Sequence, residues 1–148
     1  MNDILWRRLR YMLSPQMDLY VGITAKVSGR SVLEVGFGTG AGTLQLIPHA
    51  RSVTAIEIEP DAVNFARQMW PGQADWQQSS ILDYRPGPSF ETVVMVEVLE
   101  HIHDWQKALQ NVRDCLVPGG FLMMTARNRN ADLRRNDLHE REWTGEEL

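Results

Sequence analysis

The stretch Val32–Gly40, which reads VLEVGFGTG, constrains the fold of this chain more than any other. An apolar run that passes directly into alternating glycines is typical of a strand followed by a turn whose backbone needs room. Glycine adopts positive φ angles and lets a ligand approach the main chain. A helix that begins near Gly40 would direct its unpaired N–H groups toward that ligand. The stretch therefore predicts a binding site at the end of a strand.

Two kinds of ligand fit the spacing of these glycines. Gly36, Gly38 and Ala41 match the G-x-G-x-x-G/A fingerprint of dinucleotide-binding proteins. Glu57 follows about 20 residues later, where that fingerprint has a ribose-binding carboxylate. Glu34 favours a different ligand, because its carboxylate is unfavourable beside a pyrophosphate and favourable beside a cationic amino group.

Apolar runs alternate with amphipathic stretches, which predicts a doubly wound, mostly parallel α/β sheet with helices on both faces. We expect strands over residues 31–36, 52–57, 74–78, 91–97 and 120–126, and helices over 2–13, 14–27, 40–48, 60–70 and 104–116. The run Thr92–Val96 is apolar on both faces, as a central strand should be. The polar residues at strand ends are Glu34, Glu57, Ser80 and Glu97. Ligands of such sheets bind beyond the carboxyl ends of the strands, so these residues are expected to share one site.

The composition excludes several classes of protein. The chain of 148 residues is long enough to bury one hydrophobic core. Its single cysteine, Cys115, excludes an internal disulfide. We expect this cysteine to be buried and unreactive. No stretch reaches the roughly 18 apolar residues of a membrane span, so we expect a soluble, cytoplasmic protein with no membrane partner. The net charge of −4 makes a nucleic-acid partner unfavourable.

Four segments carry a resemblance to a known family. Residues 34–40 read acidic-x-Gly-x-Gly-x-Gly, and residues 55–60, 94–101 and 116–122 follow in order. Together they resemble the first motif, the second strand, the fourth strand and the turn into the fifth strand of the class I S-adenosylmethionine-dependent methyltransferases. The run E-V-L-E-H at 97–101 is similar to the branch that methylates quinone precursors. The resemblance implies a Rossmann-like fold with strand order 3-2-1-4-5 and an S-adenosylmethionine cofactor.

The resemblance also implies roles for individual residues. The cofactor-binding positions would be Glu34, Gly36, Phe37, Gly38, Gly40, Glu57, Ile58, Ser80, Ile81 and Glu97. Where the family often has an acid that contacts adenine, this chain has Ser79-Ser80-Ile81, with Asp83 as the alternative acid. Glu100 and His101 would lie beside the methyl group, which makes His101 the candidate general base. The alternative is that the pair caps or braces the following helix.

The resemblance covers only part of the family's usual domain. It implies covering helices at residues 1–30 and a methyltransferase domain at 31–148 that lacks the last two strands. Thr144 and Glu147 match a capping box at the start of a further helix. Either the chain is a fragment, or a partner, such as a second copy in a homo-oligomer, covers the open edge of the sheet.

The predicted function is methyl transfer from S-adenosylmethionine to an oxygen or nitrogen atom of a small molecule, without a metal. One alternative is a module that binds the cofactor and does not catalyse. Another is a metal-dependent RNA 2′-O-methyltransferase, because Glu97, Glu100, His101 and the distant His139 resemble the metal constellation of the enzymes that modify small-RNA 3′ ends. Four arginines within residues 127–135 could bind an anionic substrate or lie in a solvated loop.

Overall fold

The computed structural model describes residues 16–128, 140–144 and 146–147. Its five strands are β1 Ser31–Val35, β2 Ser52–Glu57, β3 Asp75–Gln78, β4 Phe90–Val96 and β5 Leu116–Thr125. Its helices are α1 Gln16–Val27, α2 Thr43–Leu46, α3 Pro60–Met69 and α4 Trp105–Cys115, with a 3₁₀ turn at Leu99–His101. All strand pairs are parallel, in the spatial order β3-β2-β1-β4-β5. The predicted fold class and strand order are confirmed.

The central strands are buried on both faces, because alternate side chains of a strand point to opposite sides of the sheet. One face packs against α1 and α2 through Val32, Val53, Val94, Val96, Tyr20, Ile23, Val27 and Leu46. The opposite face packs against α4 through Leu33, Val35, Ile56, Val93, Met95, Ala108, Val112 and Cys115. Burial raises the pKa of the Cys115 thiol, in keeping with an unreactive core residue.

Two helices begin as the sequence predicts. Pro60 stands in the first turn of α3, where its missing N–H costs no hydrogen bond. Asp104 caps α4, and its carboxylate accepts a hydrogen bond of 3.2 Å from the amide of Lys107. These starts orient both helices along the sheet and leave its carboxyl edge to the loops.

The helix expected over residues 40–48 is shorter than predicted. The α2 helix has only four residues, Thr43–Leu46, and its first helical bond runs from the amide of Leu44 to the carbonyl of Gly40 at 3.1 Å. The glycines before it form a turn, and Pro48 has no N–H to donate the next helical bond, although Ile47 still has helical dihedral angles. The glycine turn is therefore followed by a single helical turn and not by a long helix.

The last strand begins earlier than predicted. Leu116 already pairs with Phe90, and the register then shifts around a turn in which Gly119 has a φ of +80°. Regular pairing resumes at Phe121 and continues to Thr125. This shift brings Thr125 alongside the end of β4.

The segment Glu140–Thr144 returns to the carboxyl edge of the sheet. Trp143 bridges to Asn128, is fully buried, and packs edge-on against Trp105 at 5.9 Å between ring centroids. The amide of Thr144 donates a hydrogen bond of 2.8 Å to Oε2 of Glu147, which is one half of the predicted capping box. The helix expected over residues 2–13 and the cap at Ser14-Pro15 lie outside the described residues. The division into domains stays a prediction.

None of the described helices combines the length and the apolar character needed to cross a bilayer.

Candidate functional site

A cleft of about 300 Å³ opens at the carboxyl ends of β1, β2 and β4, where the strand order reverses. Its wall is formed by Val35, Gly36, Ile56, Glu57, Ile58, Ser79, Ser80, Ile81, Glu97, Val98, His101 and Ile102. This set brings together six of the predicted cofactor-binding residues and the candidate base. The other predicted residues lie around the cleft, and their positions are described below.

The glycine turn is shaped for close approach of a ligand to the backbone. Gly36 has a φ of +74°, and a Cβ atom there would lie 2.5 Å from Cγ2 of Val98 in the cleft wall. Gly38 has a φ of +56°, and no atom lies within 4 Å of the place its Cβ would occupy. The amide of Gly40 closes the turn on the carbonyl of Phe37 at 2.9 Å. Any side chain at Gly36 would therefore displace the cleft wall.

Phe37 does not join the cleft wall. Its side chain is buried on the other side of the turn and packs edge-on against Trp76 at 5.0 Å between ring centroids. The side chain of Phe37 therefore anchors the glycine turn to the core, and a role of Phe37 in cofactor binding stays a prediction. Only the backbone of Phe37 is left to face a ligand.

Glu57 ends β2 and ties the glycine turn to that strand. Its Oε2 accepts a hydrogen bond from the amide of Gly38 at 2.9 Å. Its Oε1 accepts from the amides of Ile58 at 2.7 Å and Glu59 at 3.1 Å. A carboxylate offers about four acceptor sites. The Glu57 carboxylate thus retains acceptor capacity for a hydroxyl group in the cleft.

Glu34 is fully buried beneath the glycine turn and does not line the cleft. The Tyr20 hydroxyl donates a hydrogen bond of 2.6 Å to its Oε1, and no described residue hydrogen-bonds to its Oε2. Burial raises the pKa of Glu34 to about 7; the hydroxyls of Thr43 and Tyr20 oppose this rise, and the charge of Glu57 adds to it. The carboxylate therefore titrates near neutral pH.

Strand alternation explains where Glu34 points. Glu34 shares a strand face with Val32, which packs under α1, whereas Leu33 and Val35 face α4. The alternation is readable in the sequence and directs Glu34 under α1, so its predicted role in cofactor binding stays a prediction. Gly42 leaves room for Tyr20, the hydrogen-bond partner of Glu34, because a Cβ atom at Gly42 would overlap the tyrosine ring.

The turn after β3 supplies Ser80 and Ile81 to the cleft wall. The Oγ atom of Ser80 accepts a hydrogen bond of 3.1 Å from the amide of Leu82. The alternative acid, Asp83, is exposed and does not line the cleft. The structure thus places Ser80, and not Asp83, in the cleft wall, and a contact of Ser80 with adenine stays a prediction.

Asn111 holds this turn from below and was missed by sequence reasoning. It is buried on α4, and its Nδ2 donates to the carbonyls of Ile81 at 2.8 Å and Leu82 at 3.0 Å. The available signal was an amide on the apolar face of α4, next to Ala108 and Val112. A buried polar side chain on such a face needs a partner, and the backbone of the turn is that partner.

Glu97 stands just past β4 in a strained conformation. Its φ is +55°, which a residue with a side chain rarely adopts. Its amide donates to the carbonyl of Thr125 at 3.3 Å and to the Thr125 hydroxyl at 3.1 Å, and that hydroxyl donates to Oε1 of Glu97 at 3.1 Å. Thr125 was also missed, since no sequence pattern pairs the ends of β4 and β5.

Glu100 and His101 are neighbours in the 3₁₀ turn but lie in different environments. His101 is exposed and lines the cleft, whereas Glu100 is fully buried and is absent from the cleft wall. The carbonyl of Glu100 accepts hydrogen bonds from the amides of Glu140 at 2.8 Å and Arg141 at 3.4 Å. The cap of α4 is Asp104, so neither residue caps that helix. The side chain of Glu100 is fully buried and does not line the cleft, and its role in catalysis stays a prediction.

The described part of the chain contains no group of three or more histidine, cysteine, aspartate or glutamate side chains that could hold a metal ion. Glu97 and His101 share the cleft wall, but Glu100 faces inward. His139 lies outside the described residues, as do three of the four arginines of the 127–135 cluster, namely Arg129, Arg134 and Arg135. Among the described residues, the metal constellation is not assembled.

Comparison with known proteins identifies the family. A family described as "Methyltransferase domain" matches residues 33–124. The chain belongs to this methyltransferase family. A ubiquinone biosynthesis O-methyltransferase of Xanthomonas euvesicatoria pv. vesicatoria (strain 85-10) is 34% identical over 125 residues, which are 80% of this chain and 52% of the relative. Nodulation protein S of Rhizobium tropici is 32% identical over 106 residues, 68% of this chain and 44% of the relative. The methyltransferase chain spans about half the length of these curated relatives.

Solved structures agree with this family and fold. The N-methyltransferase NodS of Bradyrhizobium japonicum WM9, in complex with S-adenosyl-L-homocysteine, superimposes with a TM-score of 0.70 at 28% identity, covering 83% of this chain and 66% of that one. The [4+2]-cyclase SpnF superimposes with a TM-score of 0.73 at 24% identity, covering 89% and 52%. Because the fold also occurs in a cyclase, the activity must be argued from the site.

Proposed function

We propose that this methyltransferase chain binds S-adenosylmethionine in the cleft and transfers its methyl group to an oxygen or nitrogen atom of a small molecule. The observation that carries the proposal is Glu57, whose carboxylate lies at the end of β2 in the cleft and holds the amide of Gly38. A ribose-binding acid beside a glycine turn suits a nucleoside. The names of the relatives include both an O-methyltransferase and an N-methyltransferase, so these names do not identify the acceptor atom.

The groups around the cleft fit such a cofactor. Glu57 retains acceptor capacity for a ribose hydroxyl, and no described residue accepts a hydrogen bond from the Ile81 amide, which leaves it to donate to an adenine nitrogen. The carboxylate of Glu97 has one oxygen that no described residue engages. Negative charge at this place favours a cofactor with positively charged amino and sulfonium groups.

The chain's own contribution to the reaction is mainly to hold the reactants. S-adenosylmethionine supplies a methyl group on a positively charged sulfur that is already a good leaving group. Placing an acceptor in line with that group can supply much of the rate. His101, exposed in the cleft wall, is the group that would take a proton from a hydroxyl acceptor. Glu100 contributes through the turn that carries His101, since its own side chain is buried.

The first test is a calorimetric titration of the purified chain with S-adenosylmethionine, S-adenosylhomocysteine and NAD. We expect the first two to bind and NAD not to bind, because the buried and partly buried carboxylates near the glycine turn disfavour a pyrophosphate. Tight binding of NAD alone would show that the site is a dinucleotide site. Binding of S-adenosylmethionine without turnover in a broad acceptor screen would favour the non-catalytic alternative.

Glu57→Ala should weaken binding of S-adenosylhomocysteine by about 1 to 3 kcal/mol, or roughly 5- to 150-fold, because it leaves buried hydrogen-bond partners unsatisfied. Glu59→Ala is the matched control, since Glu59 is adjacent, exposed and makes no side-chain cap to α3. Titration calorimetry measures both variants, and thermal melting checks that each is folded. Equal affinities of the two variants would remove Glu57 from the nucleoside site.

A further inference from the structure

We propose that Thr125 is a positioning residue that holds the carboxylate of Glu97 toward the cleft, and that this carboxylate makes the cleft favour the positively charged methyl donor over the product. The inference rests on the proposed function. When the methyl group leaves, the electron pair of the carbon–sulfur bond stays on sulfur, and the sulfur loses its positive charge. A fixed carboxylate therefore interacts more favourably with the donor than with the product.

The backbone of Glu97 is held in an unusual conformation. A glutamate with a φ of +55° is in an unfavourable conformation that persists only where its surroundings impose it. The surroundings here are Thr125, whose carbonyl and hydroxyl oxygens both accept from the Glu97 amide. Residues held in such conformations concentrate at functional sites, and this one lines the cleft.

The hydroxyl of Thr125 makes two hydrogen bonds with Glu97. A hydroxyl has one proton to donate, and its oxygen can also accept. Since the Thr125 oxygen accepts from the Glu97 amide at 3.1 Å, its proton is available for Oε1 of Glu97, also at 3.1 Å. The Thr125 hydroxyl oxygen takes part in both hydrogen bonds and so links the backbone of Glu97 to its side chain. The carboxylate is thereby fixed as an acceptor, and no described residue engages its Oε2.

Most of the ionisable side chains in the cleft wall are acidic. Its ionisable side chains are Glu57, Glu97 and His101, and none of the described residues of the wall is a lysine or an arginine. The Glu57 carboxylate accepts hydrogen bonds from the amides of Gly38, Ile58 and Glu59 at the end of β2. Glu97 therefore carries the negative charge at the end of β4 that no described cation neutralises. That charge would be compensated by a cationic ligand.

The experiment compares Thr125→Val with Thr125→Ser by calorimetric titration against S-adenosylmethionine and S-adenosylhomocysteine. Valine keeps the shape of threonine and removes the hydroxyl, whereas serine keeps the hydroxyl. We expect Thr125→Val to weaken binding of the donor about five- to tenfold, the loss of about one ordinary hydrogen bond, and binding of the product less than about twofold. Thr125→Ser should retain the preference of the wild-type chain.

Glu97→Gln shows whether Thr125 acts through Glu97. Removing the charge should reduce donor affinity relative to product affinity, and adding Thr125→Val to it should cause no further loss of preference. If the wild-type chain binds neither ligand, the proposed function fails. If the wild-type chain binds both, and Thr125→Val changes both affinities equally or neither, only this inference is overturned. If Thr125→Val does not fold, an unchanged preference in Glu97→Gln overturns it by itself.

Discussion

His101→Gln is expected to slow methyl transfer to a hydroxyl acceptor by about 10²- to 10⁴-fold, the usual contribution of a general base. The imidazole is exposed in the cleft wall, so glutamine preserves polarity and approximate size while removing the group that would take the proton. Affinity for S-adenosylmethionine should change little, because His101 would act on the acceptor. The measurements are single-turnover rates with an acceptor found by screening, and titration of the cofactor.

His103→Gln is the matched control for this variant. His103 is two residues away, exposed, and contacts Glu140 at 3.3 Å outside the cleft wall. We expect its rate to stay within about twofold of the wild type, since surface substitutions away from a site have small effects. Similar rates for His101→Gln and the wild type would rule out His101 as a base, and equal losses in both variants would point to the turn and not to the imidazole.

Glu34→Gln is expected to stabilise the chain at pH 8 and to leave its stability at pH 5 nearly unchanged. Burial raises the pKa of Glu34 to about 7 from the usual 4.5. Between these two values the folded chain holds a proton that the unfolded chain has released, so the free energy of unfolding falls as the pH rises through this window. The wild type therefore loses about 3 kcal/mol between pH 4.5 and pH 8, an order-of-magnitude figure from the shift.

The groups facing Glu34 do not reverse this sign. The hydroxyls of Tyr20 and Thr43 favour the charged form, but burial outweighs them and Glu57 adds repulsion. Glutamine keeps an oxygen that accepts from the Tyr20 hydroxyl and carries no charge at any pH. Urea denaturation at pH 5 and pH 8 gives the two free energies of unfolding.

Glu91→Gln is the control for the pH dependence. The pKa of Glu91 is lowered, first by the amide of Ser31 and also by Arg51, so this carboxylate remains charged throughout the window from pH 5 to pH 8. Its replacement should leave the difference between the two free energies unchanged. If Glu34→Gln shows the same pH dependence as the wild type, the buried carboxylate is not the group that titrates.

The sequence by itself determined the architecture and the location of the site. Alternating strands and helices require a parallel sheet, and glycines after β1 with an acid after β2 identify its carboxyl edge, so Gly36, Glu57 and Glu97 were all expected at the cleft that contains them. These features are local in the chain or follow from the common direction of parallel strands. The tertiary structure was not needed to place them.

Only the tertiary structure decided which side chains face the ligand and what holds them. Phe37 and Glu100 are buried, because the direction of a side chain in a turn depends on the packing around that turn, whereas the burial of Glu34 follows from the alternation of β1. The contacts of Thr125 with Glu97 and of Asn111 with Ile81 join residues 28 and 30 positions apart. Such contacts depend on the register of β5 against β4 and on the docking of α4 beneath the turn after β3. Neither is encoded in a local pattern, because both arise from interactions between separate elements across the folded sheet.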